Sequence, residues 1–274
     1  MLRRIPVKTR GKYRLARLLL GSDLDRSNEH IVDCFGFRYL VPSLRDSVAF
    51  TLLVDGVYEA TELNFVMSQV EEGDTFVDVG ANIGCYSLPV ARKVGARGKV
   101  LAIEASPKIY GYLTENVREN ALSNICAIEA ALLDIDGESQ FHDAPADHSG
   151  MGSIAPQFGA TPIAVAARRL DTLVREVGIS KVKIIKADVE GYESHVFKGA
   201  QELLTGESPP LIVFEFVDWA ENRALGRVGD AQQVLRNFGY LIWVLDDYLA
   251  GRAPLREIIT RGFHTLVAAK SRPA

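Results

Sequence analysis

Glu72-Gly-Asp-Thr-Phe-Val-Asp-Val-Gly-Ala-Asn-Ile-Gly-Cys-Tyr-Ser87 is the stretch whose reading decides the fold. Gly73-Asp74 is a turn dipeptide, and Thr75-Phe76-Val77 is a short β-rich segment. Asp78 ends the apolar run, Gly80 and Gly84 frame a tight loop, and Tyr86–Lys93 reads as a helix. Strand, glycine turn and helix start together bring a nucleotide-like ligand against bare backbone. Glycine suits such a loop because a Cβ would hold the ligand off the main chain. The spacing is Gly80-x-x-x-Gly84, without the G-x-G-x-x-G of dinucleotide sites or the Lys-Ser/Thr ending of a phosphate loop. No pyrophosphate need be cradled. The acid at the strand end suits a ligand carrying an ammonium and hydroxyls.

Downstream of this stretch, strand and helix alternate. Lys99–Glu104, Ile125–Leu132, Val182–Ala187 and Leu211–Phe216 read as strands, and Tyr110–Ala121, Leu170–Val177, Glu193–Leu204 and Ala231–Phe238 as helices. Tyr240–Leu245 and His264–Ala269 close the chain as two strands with no helix between them, which predicts an antiparallel edge pair. Gly137–Arg168 breaks the rhythm with Gly, Pro, Ser and His and short β-like pieces at Ser139–His142 and Thr161–Ala166. Repeated βα units predict a mostly parallel sheet with helices on both faces. Upstream, Ile31–Val41 and Ser47–Val54 read as strands of a small sheet, and Ala60–Val70 as a helix. The expected division is a basic helix with a small β cap over 1–56 and a larger α/β domain over 57–274.

Composition is that of an ordinary globular chain, 47% hydrophobic and 24% charged. A net charge of -4 argues against a broad nucleic-acid-binding surface. Cys34, Cys85 and Cys126 are widely spaced with no C-x-x-C, so neither a zinc cluster nor a disulfide framework is indicated, and a reducing cytoplasm fits best. No apolar run approaches the ~18 residues of a membrane span, and the start lacks a signal peptide's apolar region. Met1–Leu20 stands apart: it holds Arg3, Arg4, Lys8, Arg10, Lys12, Arg14 and Arg17 and no acid. Tyr13–Leu20 reads as a basic amphipathic helix that touches an anionic membrane or a phosphorylated carrier, the alternatives being a helix packed on its own domain or a loose terminus.

Phe76-Val-Asp-Val-Gly-Ala-Asn-Ile-Gly84 resembles the first motif of the FkbM-type family of S-adenosylmethionine-dependent methyltransferases. Ile185-Lys-Ala-Asp-Val-Glu-Gly-Tyr-Glu193, followed by Phe197-Lys-Gly-Ala200, resembles that family's second signature. The resemblance covers about Val57 to Phe216. It implies the Rossmann-like class I methyltransferase fold, with a seven-stranded sheet. It also implies S-adenosylmethionine as cofactor and S-adenosylhomocysteine as product.

Ligands of such sheets sit beyond the carboxyl ends of the strands, which turns Asp78, Glu104, Asp188 and Glu215 into one candidate site. Glu104, with Ala105 after it, is the expected ribose ligand, because a carboxylate accepts hydrogen bonds from both vicinal hydroxyls. Asp78 and the Gly80–Gly84 loop are expected to hold the methionine portion. Asn82 either orients that loop or makes only local turn contacts. The resemblance places adenine at Ala131 and Leu132. It also makes Tyr58-Glu59 a cover over the cofactor, against the alternative of a helix-start acid. Methyl transfer is an in-line displacement that needs alignment and exclusion of water, with no metal required. A hydroxyl acceptor benefits from a base, so Asp188 and Glu190 are the candidates, their alternative role being to brace the Gly191 turn and cap the next helix. His148, in the irregular insertion, is either part of a substrate lid with catalytic reach or an exposed loop histidine.

The leading expectation is an O-methyltransferase for a small-molecule, sugar or lipid-linked acceptor, with no nucleic acid as partner. The alternatives are an N-methyltransferase and a non-catalytic S-adenosylmethionine-binding module. The chain lacks the Asn/Asp-Pro-Pro-aromatic turn of DNA amino-methyltransferases, having Asp188-Val-Glu-Gly191 there, and it lacks a nucleophilic cysteine at that turn.

Overall fold

A computed structural model describes residues 11–24, 29–145, 147–155, 158–159, 161–224 and 226–271. Arg3, Arg4, Lys8 and Arg10 of the basic start lie outside them. The chain opens with α1 (Lys12–Leu24), the hairpin β1 (His30–Cys34) and β2 (Phe37–Val41), then α2 (Ser47–Asp55) and α3 (Ala60–Gln69). The alternating part runs β3 (Thr75–Val79), α4 (Ser87–Val94), β4 (Lys99–Glu104), α5 (Pro107–Glu119) and β5 (Ile125–Glu129). An insertion carries β6 (Ala131–Leu132), β7 (Gly137–Phe141), a 3-10 turn at Ser149–Met151 and β8 (Ile163–Arg168). The remainder is α6 (Leu170–Glu176), β9 (Ile184–Ala187), α7 (Glu193–Lys198), α8 (Gln201–Thr205), β10 (Leu211–Val217), α9 (Asp218–Arg223), α10 (Asp230–Asn237), β11 (Leu241–Val244), α11 (Leu245–Leu249) and β12 (Phe263–Ala269).

The main sheet has the order β11-β12-β10-β9-β3-β4-β5. Its strands are parallel except β12, which runs antiparallel between β10 and β11. This is the Rossmann-like class I methyltransferase sheet that the resemblance implied, with the antiparallel C-terminal pair that the alternation predicted. Successive strand residues point to opposite faces, so Phe76, Val100, Ala102, Ile184 and Val213 join one core with Leu88 of α4 and Leu113 of α5. Val77, Leu101, Ile103, Ile185 and Phe214 join the other with Phe197 of α7 and Leu235 of α10. Both faces are dry, which is why the strands read as continuous apolar runs. Full burial of a side chain such as Phe76 or Leu101 is worth about 1.5–3 kcal/mol. Val32, Tyr39, Val41 and Leu52 of the N-terminal elements lie in the first of these cores.

Three expectations are corrected. Ser47–Val54 is a helix, not a strand: Asp46 caps it by accepting from the Val48 and Ala49 amides, both at 3.0 Å, and Gly56 ends it at φ 82°. An apolar run buried on several sides has no period that separates helix from strand. The expected strand Ile125–Leu132 divides, because β6 leaves the main sheet to pair in parallel with β8, which pairs antiparallel with β7. The expected helix Glu193–Leu204 breaks at Gly199, where a Cβ would stand 2.1 Å from the Leu133 carbonyl oxygen.

The chain reverses its direction across the sheet between β3 and β9, since β3 leads outward to β4 on one side while β9 lies on the other. Ligand clefts of open α/β sheets form at this switch point.

Candidate active site

At the switch point a cleft opens beyond the strand ends. Gly80, Asn82, Glu104, Ala105, Ala131 and Leu132 line one side, and Lys186, Asp188, Glu190, Tyr192 and Glu215 the other, with Tyr58 over them. Ser47 and Val48 at the start of α2 and the turn Ser149–Gly152 complete the wall. Asp46 holds that turn in place, its Oδ2 accepting from the Ser149 amide at 2.9 Å and hydroxyl at 2.7 Å.

The glycine loop is shaped by the protein's own packing. Gly80 has φ 74° and a Cβ there would stand 1.9 Å from the Asp188 carbonyl oxygen, while one on Gly84, at φ 94°, would stand 2.4 Å from Leu88. Both positions demand glycine before any ligand arrives, and Gly84 lies behind the cleft wall. Glu104 braces the loop: its carboxylate accepts from the Asn82 amide and the Ser106 amide, each at 2.9 Å. Burial pushes its carboxyl up to about 6, against the pull of those two donors. Each oxygen keeps a lone pair for a further donor. Asn82 sits at φ 50°, and its Oδ1 accepts from the Ile83 amide at 2.7 Å, so its side chain is engaged locally.

Asp78, expected to hold the methionine portion with the loop, does not itself line the cleft. It is fully buried beneath the loop, accepting from the Ser87 hydroxyl at 2.6 Å, with its other oxygen 3.9 Å from Lys186 Nζ. Burial raises its carboxyl and the Lys186 charge lowers it, with a net rise.

The acidic wall is crowded. One oxygen from each of Glu59, Asp188 and Glu215 falls within 4.8 Å of the others. This trio is the set that would hold a cation, and Lys186 already brings a positive charge to it. Its ammonium donates to Asp188 Oδ2 at 3.3 Å and to the Gly80 carbonyl at 3.2 Å. Burial opposes that charge, but Asp188, Asp78 and Glu59 outweigh the penalty and hold the ammonium protonated above its ordinary range. Burial, then repulsion from Asp188, pushes Glu59 up to about 6, Glu190 to about 7 and Glu215 to about 11. Glu190 adopts φ 54°, in the left-handed region, with Arg223 4.0 Å away. Glu59 also lies at positive φ, beside rather than within the main cleft, and accepts from the Tyr86 hydroxyl at 2.8 Å.

His148 is not brought to the acids. Its ring stacks on Phe158 at 5.9 Å and lines a separate groove with Arg17, Leu44, Arg45 and Phe50. The candidate catalytic role for His148 is corrected accordingly.

The family model for the Methyltransferase FkbM domain matches residues 78–242, from Asp78 on β3 to Ile242 on β11. The chain belongs to the FkbM methyltransferase family. Among its relatives, the hexuronic acid methyltransferase AglP of Haloferax volcanii is 27% identical over 53% of this chain and 58% of its own. The methyltransferase sdnD of Sordaria araneosa is 30% identical over 46% of this chain and 60% of its own. The 2-O-methyltransferase NoeI of Sinorhizobium fredii is 27% identical over 51% and 63%. The chain thus spans about three fifths of the length of these relatives.

Within this FkbM domain, two buried residues escaped the sequence reading. Lys186 precedes Asp188 by two positions, so on a strand both point to one face; that spacing was the available signal. Glu193 is buried and braces the acidic turn, accepting from the Val189 amide at 2.9 Å. The turn-bracing role considered for Asp188 and Glu190 therefore has an occupant of its own.

Proposed function

We propose that the chain is an S-adenosylmethionine-dependent O-methyltransferase for a hydroxyl on a small-molecule or sugar-like acceptor. The observation that carries this reading is one cleft, within an FkbM domain, bounded by the Glu104-braced loop and by Asp188 and Glu190. The names of AglP and NoeI, a hexuronic acid methyltransferase and a 2-O-methyltransferase, support a sugar-like acceptor.

The cofactor fits the donor set. The free lone pairs of Glu104 suit two ribose hydroxyls. Ala105, Ala131 and Leu132 give an apolar wall for an adenine ring, and Gly80 and Asn82 line the cleft toward the methionine portion. Bound there, S-adenosylmethionine supplies an electrophilic methyl carbon and leaves as S-adenosylhomocysteine. The protein aligns the acceptor oxygen, and Asp188 or Glu190 takes its proton. Lys186 bonds both Asp188 and the Gly80 carbonyl, so it ties the acidic turn to the loop. Tyr58 and Ser149–Gly152 cover the cleft from water.

The 1–56 segment serves in this reading as the cleft's outer wall rather than as an independent unit. Among the described residues no helix is long and apolar enough to cross a membrane, and Cys34, Cys85 and Cys126 form no disulfide there, which suits a reducing cytoplasm. The test is twofold. Calorimetry with S-adenosylmethionine and S-adenosylhomocysteine should show binding. A cell extract incubated with isotopically labelled methyl donor should yield a labelled product bearing the label on oxygen. No affinity for either cofactor form, or label on nitrogen alone, would overturn the assignment.

A further inference from the structure

The groove that holds His148 has no part in the proposed chemistry, and it adjoins the helix that the basic start builds. One face of α1 is fixed. Lys12 Nζ lies 2.6 Å from Asp55 Oδ1 with both groups buried, the Tyr13 hydroxyl donates to Asp55 Oδ2 at 2.7 Å, and Ala16 packs with Phe50 and Val54 of α2. The other face is bare and apolar. Leu15, Leu18 and Leu19 are 41%, 79% and 61% exposed, and Arg14 beside them is exposed. α1 therefore has apolar residues on two sides, and among the described residues Leu15, Leu18 and Leu19 stay exposed while Ala16 is buried.

A further strip of the same helix, at Arg17 and Gly21, lines a groove with Arg45, His148, Leu44 and Phe50, with Asp147 as its acid. The Arg17 guanidinium stands 5.6 Å over the Phe50 ring. Leucines that bury in an acyl boundary next to cations that meet phosphate are the two halves of an interfacial anchor. The residues before α1 add Arg3, Arg4, Lys8 and Arg10 without an acid. We infer that the outward face of α1 and the Arg17–Arg45–His148 groove form a docking surface for an anionic lipid bilayer.

The surface shares a wall with the cleft. Leu44, Arg45, Phe50 and His148 face the groove, while Ser47, Val48, Ser149 and Gly150 of the same two segments face the cleft. A docked chain holds its acceptor side close to the bilayer, so an acceptor carried on a lipid is favoured; this consequence alone rests on the methyltransferase reading.

The test is sedimentation of the full chain with vesicles of phosphatidylcholine alone and of phosphatidylcholine mixed with phosphatidylglycerol. Binding to the anionic vesicles is expected, weakening as salt is raised. An arginine at such a surface contributes about fivefold to partitioning, so Arg17→Gln with Arg45→Gln should cost roughly 25-fold. Leu18→Ser with Leu19→Ser should cost at least about tenfold. Melting temperature and S-adenosylmethionine affinity report whether each variant is folded, and cofactor binding does not depend on docking. Failure of the parent chain to sediment with anionic vesicles would overturn the inference, as would binding that neither pair reduces. A dimer that Leu18→Ser and Leu19→Ser dissolve, without any vesicle binding, would assign the face to a second copy instead.

Discussion

The β3–β4 wall of the cleft is closed by its own hydrogen bonds, whereas the β9–β10 wall gathers carboxylates around one ammonium. On the first wall Glu104 accepts from two backbone amides and Asn82 satisfies its own turn. On the second, Asp188 and the adjoining Glu59 bear on Lys186, Glu190 lies 4.0 Å from Arg223, and Glu59, Glu190 and Glu215 are pushed upward by burial and by Asp188. Glu59 and Glu190 are also held at positive φ. A wall without electrostatic conflict is preformed for binding. A wall that stores conflict is suited to exchanging protons, because burial and Asp188 bring the Glu59 and Glu190 carboxyls to about 6 and about 7. Under the proposed function binding falls to one side and chemistry to the other, and substitutions should separate them.

The largest effect is expected on turnover. Asp188→Asn should lower it by about 10²–10⁴-fold while cofactor affinity changes much less, because the amide preserves shape and an acceptor for Lys186. Single-turnover kinetics beside calorimetry measures both. Equal loss of affinity and rate would mean that the acidic wall also binds cofactor, and the contrast between walls would fail. Glu190→Gln tests the same wall through pH. A base works ionised, and this carboxyl is pushed to about 7 by burial and by Asp188. Turnover should therefore rise with pH through about 7 in the parent chain and lose that rise in the variant. A rise that survives Glu190→Gln would assign the proton to another group.

Gly80→Ala should come next, and it should injure both walls together. The added methyl would meet the Asp188 carbonyl oxygen at 1.9 Å, at a φ of 74° that disfavours alanine. Overpacking and the left-handed backbone together should cost about 2–4 kcal/mol of stability, read by denaturant unfolding. Glu104→Gln is milder and confined to the binding wall. A neutral amide retains one acceptor oxygen but loses a carboxylate bond to the loop or the ribose, at about 1–3 kcal/mol of cofactor affinity. Turnover at saturating cofactor should change little. A variant slowed at saturation would break the separation from the opposite side.

Much of this contrast was legible in the sequence, and its gaps have physical causes. Asp78, Glu104, Asp188 and Glu215 could be placed at one edge because a strand's carboxyl end follows from the βα alternation alone. The direction of Asp78 could not, since only the packed loop shows that Ser87 and Lys186 cover it. Glycine at position 80 was predicted for a ligand, yet the atom that excludes a side chain is the Asp188 carbonyl, more than a hundred residues away in sequence. His148 was drawn toward the site by its place in the insertion. The turn at Ser149 does reach the cleft through Asp46, and it leaves His148 on the opposite face. The α2 helix reads as a strand because Val48–Phe50 and Leu52–Val54 make a nearly continuous apolar run with no period to separate the two, although Asp46 and Gly56 stand at its ends as a cap and a stop.

The smallest expected effect concerns Glu193, which lies under the acidic wall and touches neither side of the cleft directly. It is buried, it accepts from the Val189 amide, and burial pushes its carboxyl up to about 8. In the unfolded chain the same group titrates at about 4.3. A carboxyl whose folded value is raised binds its proton more tightly in the native state. The stability it contributes is therefore present below the unfolded value and lost as pH rises through about 8. Glu193→Gln keeps the shape and an acceptor oxygen for Val189 and removes the titration. The variant should match the parent near pH 4 and exceed it above pH 8 in denaturant unfolding. It should leave the pH dependence of turnover from Glu190 in place, because the two carboxyls act on different equilibria. Parallel stability profiles for variant and parent across this range would show that Glu193 is already ionised and paired. The electrostatic conflict would then end at Glu190 and Glu215, within the cleft wall itself.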